Sequence, residues 1–179
     1  MTDRYEIRLA GTGGQGVILA GIILADAAIR DGKNAVQTQN YGPEARGGAS
    51  RSEVIISSGE IDYPEVLQAD ILLCMSQEAC DSYHQNLKRN GLLIVDSSQV
   101  HRTPRLDVIQ ANFTSWAVEE TGREIAANMV ALGFLAGMTR LVSREALEKA
   151  VIARTPKGTQ ELNLKAVARG FAEGEAQRP

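Results

Sequence analysis

The hexapeptide Gly11-Thr12-Gly13-Gly14-Gln15-Gly16 is the first segment of the sequence able to hold a charged ligand. It follows the pattern G-x-G-x-x-G between a run that reads as a strand, Tyr5–Ala10, and one that reads as a helix, Val17–Arg30. Glycines let the backbone turn sharply and approach a ligand, and N–H groups at a helix start can donate to an anion. The pattern alone also fits glycines that only allow strand and helix to pack closely. A nicotinamide dinucleotide needs a carboxylate about 20 residues further on, at the end of the second strand, to bind its ribose. Gln37-Thr38-Gln39 stands there instead. A stand-alone NAD or flavin oxidoreductase of Rossmann type is therefore an alternative with a missing part.

A second glycine loop follows, Tyr41-Gly42-Pro43-Glu44-Ala45-Arg46-Gly47-Gly48. Arg46 stands between small residues and could reach a phosphate or carboxylate. The other reading is that Glu44 and Arg46 only brace the loop. The candidate binding residues are Gly11, Gly13, Gly14, Gln15, Gly16, Tyr41, Arg46, Gly47 and Gly48. No catalytic residue and no metal ligand is assigned. Cys74 and Cys80 are too few for a zinc or iron–sulfur site, which needs about four ligands, and read as buried reduced thiols. His84 and His101 have no ligand company and read as surface or structural residues. Asp96 and Ser97 end a buried strand, where α/β proteins often bind ligands. Asn128, in an apolar helix, must be hydrogen-bonded if buried, toward either the fold or a ligand. Trp116, the single tryptophan, reads as a core or interface anchor.

These residues need a frame. A length of 179 residues suits one domain, since domains run to about 100–200 residues. Aromatics are only 4%, so Ala, Val, Ile and Leu must build the core. After the first strand and helix, strands are expected at Ala35–Thr38, Arg51–Ser57, Ile71–Met75, Leu92–Val95 and Leu106–Gln110. Helices are expected at Gln77–Arg89 with Ser76 as N-cap, Ile125–Met138, Arg144–Ala153 capped by Ser143, and Glu161–Glu173. This alternation implies an α/β fold: a mostly parallel sheet sandwiched by helices, with a Rossmann-like opening. One domain over 1–174 and a frayed tail over 175–179 are expected. In a parallel sheet both glycine loops emerge at the carboxyl edge. A net charge of −3 argues against a general nucleic-acid binder, which shows a basic stripe. The apolar stretch Gly16–Ile29 is broken by Asp26 and is shorter than the about 20 residues that span a bilayer. The polar start lacks a signal-peptide pattern, so a cytoplasmic location without membrane contact is expected.

Gly11–Gly16 followed by Tyr41–Gly48 resembles the gamma subunit of 2-oxoacid:ferredoxin oxidoreductases, the family of pyruvate, 2-oxoglutarate, ketoisovalerate and indolepyruvate enzymes. Further matches follow in order: Ile61-Asp62-Tyr63-Pro64, Ala69-Asp70-Ile71-Leu72, Gly91–Ser97, Ala127–Gly133, then Asn163-Leu164, Ala166 and Gly170. The likeness covers nearly the whole chain. One departure is Ala111-Asn112-Phe113-Thr114-Ser115-Trp116-Ala117, where the family often has a Pro-Ala-Thr-like helix entry; it leaves the oxoacid open. The resemblance implies oxidative decarboxylation of a 2-oxoacid to an acyl-coenzyme A. This subunit would help to bind coenzyme A and complete the complex, and would be inactive alone. Thiamine diphosphate, Mg and iron–sulfur clusters are implied on alpha, beta and ferredoxin-like partner subunits. Electrons would pass through these to ferredoxin or an NAD-linked acceptor. The chain itself has neither a Gly-Asp-Gly signature with its following Asn nor a ferredoxin-like cysteine run. A subunit that shapes the complex without touching a ligand is the remaining alternative.

Overall fold

Period-two alternation makes Arg4–Thr12 the first strand, β1. Ile7 and Leu9 enter the core on one face, while Arg8 and Ala10 point to the other. The computed structural model describes residues 3–40, 49–104 and 107–178. After β1 the chain forms α1 (Val17–Arg30), β2 (Asn34–Asn40), β3 (Ala49–Ser57), β4 (Ala69–Cys74), α2 (Gln77–Tyr83) and β5 (Leu87–Asp96). β6 (Val108–Ala111), α3 (Phe113–Thr121), α4 (Ala127–Thr139), α5 (Arg144–Arg154) and α6 (Gln160–Ala176) follow.

The six strands make one sheet in the order β2-β3-β1-β4-β5-β6. β1, β4, β5 and β6 pair in parallel. β3 runs antiparallel to both β1 and β2, so β1 and β2 point the same way. The sheet is thus largely parallel, as expected, with one reversed strand. That reversal is stapled from inside: Arg8 and Glu53 are direct cross-strand partners. Arg8, only 3% exposed, donates twice to Glu53 Oε1, at 2.8 and 2.6 Å, and once to the Val66 carbonyl at 2.8 Å.

Helices α1, α4, α5 and α6, with α3, cover the face that carries Ile7 and Leu9. Among the described helices only α2 packs into the cluster on the other face, where Ala79 and Cys80 meet Ala10, Leu72 and Val95. Ser143 caps α5 through its hydroxyl, which accepts from Ala146 N at 3.1 Å, and Asp31 at the end of α1 accepts from Ser143 N at 2.6 Å. No helix among the described residues is long and apolar enough to cross a membrane.

Two elements differ from expectation. The amphipathic run Gln77–Arg89 is not one helix. α2 keeps its Ser76 cap but ends at Tyr83, a single 3-10 turn follows, and Leu87 already belongs to β5. Pairing overrides helix propensity here: Leu87 is buried opposite Ala69, and Lys88 Nζ binds Asp70 Oδ1 at 2.8 Å. Asn90-Gly91 therefore lies inside a bulged strand rather than ending a helix. At the other end, α6 runs through Ala176, so 175 and 176 are helical rather than frayed.

The extension of α6 follows from its contact with α4. Every residue of α4 from Ala127 to Met138 is buried. Gly133 and Gly137 on α4 face Gly170 and Gly174 on α6, so the two backbones touch. A Cβ on Gly133 would strike the Val167 carbonyl, and one on Gly170 would lie 2.8 Å from the Val130 carbonyl carbon. Nothing flexible is available to give way. Gly170→Ala is expected to destabilise the chain by about 1–3 kcal/mol, the cost of overpacking, read as a lower urea midpoint with unchanged slope. An unchanged midpoint would show that the helices can separate freely.

Candidate functional site

The glycine turn leaves β1 at the carboxyl edge of the sheet and is fixed by its one large side chain. Thr12 N donates to Gln15 Oε1 at 2.8 Å, and Gln15 Nε2 donates to the Met75 carbonyl at 2.9 Å. Gln15 N closes the turn onto the Thr12 carbonyl at 3.2 Å, and Met75 N bonds the Ala10 carbonyl at 2.8 Å. The turn is thereby tied to the end of β4. A Cβ on Gly11 would meet Gln15 Oε1, so a side chain there would displace the acceptor that holds Thr12 N. Gly16 is left-handed, with φ 73°, and starts α1, whose first turn holds no acidic residue. Gly13 and Gly14 are exposed, and their N–H groups have no hydrogen-bond partner among the described residues.

A cleft of about 300 Å³ opens beside them. Gly14, Gln15 and Met75 line it. Gln99, Thr114, and Glu124, Ile125 and Ala127, before and at the start of α4, complete the lining. Carboxyl ends of parallel strands, a helix start and free N–H groups suit an anionic ligand. Asn128, 7% exposed, reaches the turn from α4: its Nδ2 donates to the Gly16 carbonyl at 3.2 Å, and its Oδ1 accepts from Met129 N at 2.9 Å.

Of the residues expected to bind, Gly11, Gly13, Gly14, Gln15 and Gly16 form this turn, and Gly14 and Gln15 line the cleft. Tyr41, Arg46, Gly47 and Gly48 lie outside the described residues. The strands that bracket their segment are described: Ala49 pairs with Thr12 and Ser50 with Gly11, so the start of β3 abuts the glycine turn. Asp96 does end the buried strand β5 and faces inward, while Ser97 lies just past it and is half-buried. Asp96 is fully buried and accepts from Ser98 N at 3.0 Å and from Thr114 N and Oγ1 at 3.1 and 2.5 Å, capping α3. Ser97 binds the Ala111 carbonyl through N and Oγ. Gln99, and Thr114 from the departing segment 111–117, take the cleft positions; neither is among the expected binding residues. Their only signal is that both flank the cap made by Asp96.

The other candidates are structural. Cys74 and Cys80 are free and buried; their mutual hydrogen bond, with burial adding to it, holds the Cys74 thiol well above its ordinary pKa. His84 Nδ1 contacts the Cys80 and Asp81 carbonyls at its helix end. Trp116 packs against Phe113 and Phe134 and under Arg169. Among the described residues no group of His, Cys, Asp or Glu could hold a metal ion.

A glycine turn feeding a helix at the carboxyl edge of a largely parallel, helix-covered sheet defines a Rossmann-like α/β module. Comparison with known proteins narrows the class. Residues 6–173 match the family described as pyruvate ferredoxin/flavodoxin oxidoreductase. The 2-oxoglutarate synthase subunit KorC of Methanothermobacter thermautotrophicus is 52% identical over 176 residues, covering 93% of each chain. Pyruvate synthase subunit PorC of the same organism is 31% identical over 176 residues, covering 97% of each. The crystal structure of a keto/oxoacid ferredoxin oxidoreductase gamma subunit from Geobacter sulfurreducens superposes with a TM-score of 0.87 at 51% identity, covering 99% of both chains. The chain belongs to the 2-oxoacid:ferredoxin oxidoreductase family and is a gamma-type subunit.

Two glycines of the turn separate steric from open positions. Gly16→Ala places a Cβ against Asn128 Nδ2 at a left-handed φ, and should cost about 1–3 kcal/mol of unfolding free energy. Gly13→Ala meets no atom within 4 Å and has no positive φ, so its thermal midpoint should match the unsubstituted chain. Equal midpoints for the two variants would contradict this geometry.

Proposed function

We propose that this subunit serves a complex that oxidises 2-oxoglutarate, and that its glycine turn helps to hold coenzyme A. The observation that carries the choice of acid is the contrast within one organism: 52% identity to the 2-oxoglutarate synthase subunit against 31% to the pyruvate synthase subunit, each over 176 residues. The reaction joins the coenzyme A thiol to the four-carbon acyl group of 2-oxoglutarate, and releases carbon dioxide, a proton and two electrons. Partner alpha, beta and ferredoxin-like subunits supply thiamine diphosphate, Mg and the iron–sulfur clusters, and pass the electrons to ferredoxin or an NAD-linked acceptor. This chain contributes binding surface.

Coenzyme A is anionic through its phosphates. The open N–H groups of Gly13 and Gly14 and the start of α1 suit one of them, and a helix N-terminus favours an anion by up to about 1 kcal/mol at an exposed site. Arg46 supplies a full charge from a segment whose flanking strand, β3, begins opposite Thr12. No carboxylate ends β2 to bind a ribose, and Gln37 there is bonded to Ser52 Oγ at 2.9 Å, so nothing favours a stand-alone NAD enzyme.

The test uses the complex purified from its native host. Over a panel of 2-oxoacids, 2-oxoglutarate should show the highest kcat/KM. Equal or better turnover of pyruvate or a branched-chain acid overturns the substrate assignment. Arg46→Ala should raise the KM for coenzyme A roughly ten-fold, for a lost charge-assisted contact of about 1.5 kcal/mol, with a smaller change in the KM for the oxoacid. An unchanged KM for coenzyme A in the intact complex returns Arg46 to bracing its loop.

A further inference from the structure

Asn128 is the one buried amide among the otherwise apolar buried residues of α4. Its two ends do different work. Oδ1 accepts from Met129 N within its own helix, at 2.9 Å. Nδ2 crosses to the Gly16 carbonyl at 3.2 Å, 112 residues away in sequence. That carbonyl also accepts from Ala20 N at 3.1 Å, in the first hydrogen bond of α1. The carboxamide therefore grips the residue at which the chain turns from the glycine loop into the helix. The fit is specific in shape as well: any side chain on Gly16 would collide with the Asn128 amide nitrogen. On the far side of the turn Gln15 makes the matching tie to Met75. Along the chain, Gly13 and Gly14 lie between the Thr12 N–H that Gln15 holds and the Gly16 carbonyl that Asn128 holds.

We propose that Asn128 is a positioning residue for coenzyme A binding: it presets the glycine turn so that its N–H groups meet the anion without rearranging. A donor held in place before binding loses less freedom when the ligand arrives than one that must first be ordered. Asn128 itself touches no ligand in this scheme. The proposal rests on the reading that the turn holds coenzyme A.

Three variants of the assembled complex test it. Asn128→Asp keeps the shape and the bond from Met129 N, but removes the donor to Gly16. Asn128→Leu removes donor and acceptor at similar size, and guards against an effect of the new charge. Gly13→Asp sets a carboxylate in the open turn, where no atom lies within 4 Å of a Cβ, and tests the site alone. Coenzyme A affinity is measured by calorimetry without oxoacid, and exchange of the 13–18 amides is followed in the absence of ligand. Both Asn128 variants should weaken coenzyme A about five- to ten-fold, speed amide exchange in the turn, and leave the KM for the oxoacid unchanged. Gly13→Asp should weaken coenzyme A while turn exchange stays as it was. Normal affinity in both Asn128 variants, with Gly13→Asp still weakened, overturns the positioning role and leaves the coenzyme A site standing. Normal affinity in all three overturns the site at the turn and this role with it. Equal loss of affinity for coenzyme A and oxoacid in the Asn128 variants makes the residue a general fold element and also overturns the proposal.

Discussion

Helix α4 meets α6 backbone to backbone, and most of the molecule is arranged around that contact. Gly133 and Gly137 on one helix and Gly170 and Gly174 on the other leave no side chain between them. With every position from Ala127 to Met138 buried, α4 has no solvent face. It must be enclosed by the sheet, by α6 and by α3 together. Close packing of this kind has little slack, because interiors are as dense as organic crystals and cannot absorb even a methyl group without movement elsewhere. The same helix carries Asn128 at its start. From there a single carboxamide reaches the Gly16 carbonyl, 112 residues away in sequence.

The fold was legible where one signal dominated. Continuous apolar runs gave β4 and the second half of β5, because strands buried on both faces have no polar alternation to blur them. Ser76 and Ser143 marked two helix starts because an N-cap hydroxyl answers a local need for hydrogen bonding. The reading failed where tertiary pairing outweighed local preference. Leu87-Lys88-Arg89 continues a helical pattern in one dimension, and only the burial of Leu87 and the charge of Asp70 draw it into the sheet. The direction of β3 was equally invisible, since alternation reports faces and not polarity.

The candidate site divides in the same way. Glycine spacing pointed to the turn, because a backbone that must be approached closely has to be glycine. It did not reveal Gln99 or Thr114, whose place in the cleft depends on how Asp96 caps α3. Asp96 shows why a carboxylate at a strand end is an ambiguous sign: the same geometry that exposes a strand end to ligands also exposes the N–H groups of the next helix. The Asp96 carboxylate, fully buried and accepting three hydrogen bonds, is engaged in holding the turn after β5 and the start of α3.

The buried pair Arg8–Glu53 has a consequence for how the chain reaches this state at all. β3 lies between β1 and β2 and runs antiparallel to both, so its place in the sheet depends on its register with each. Sliding β3 by one residue would keep most of its backbone hydrogen bonds, yet turn every side chain to the opposite face. Glu53 would then part from Arg8 and leave the guanidinium with only the Val66 carbonyl and the Tyr83 ring, at a cost of roughly 3–5 kcal/mol for a broken buried pair. The ion pair thus acts as a proofreading device for strand alignment. It adds little to the final stability of the sheet, but it makes the nearest wrong alignment too costly to persist.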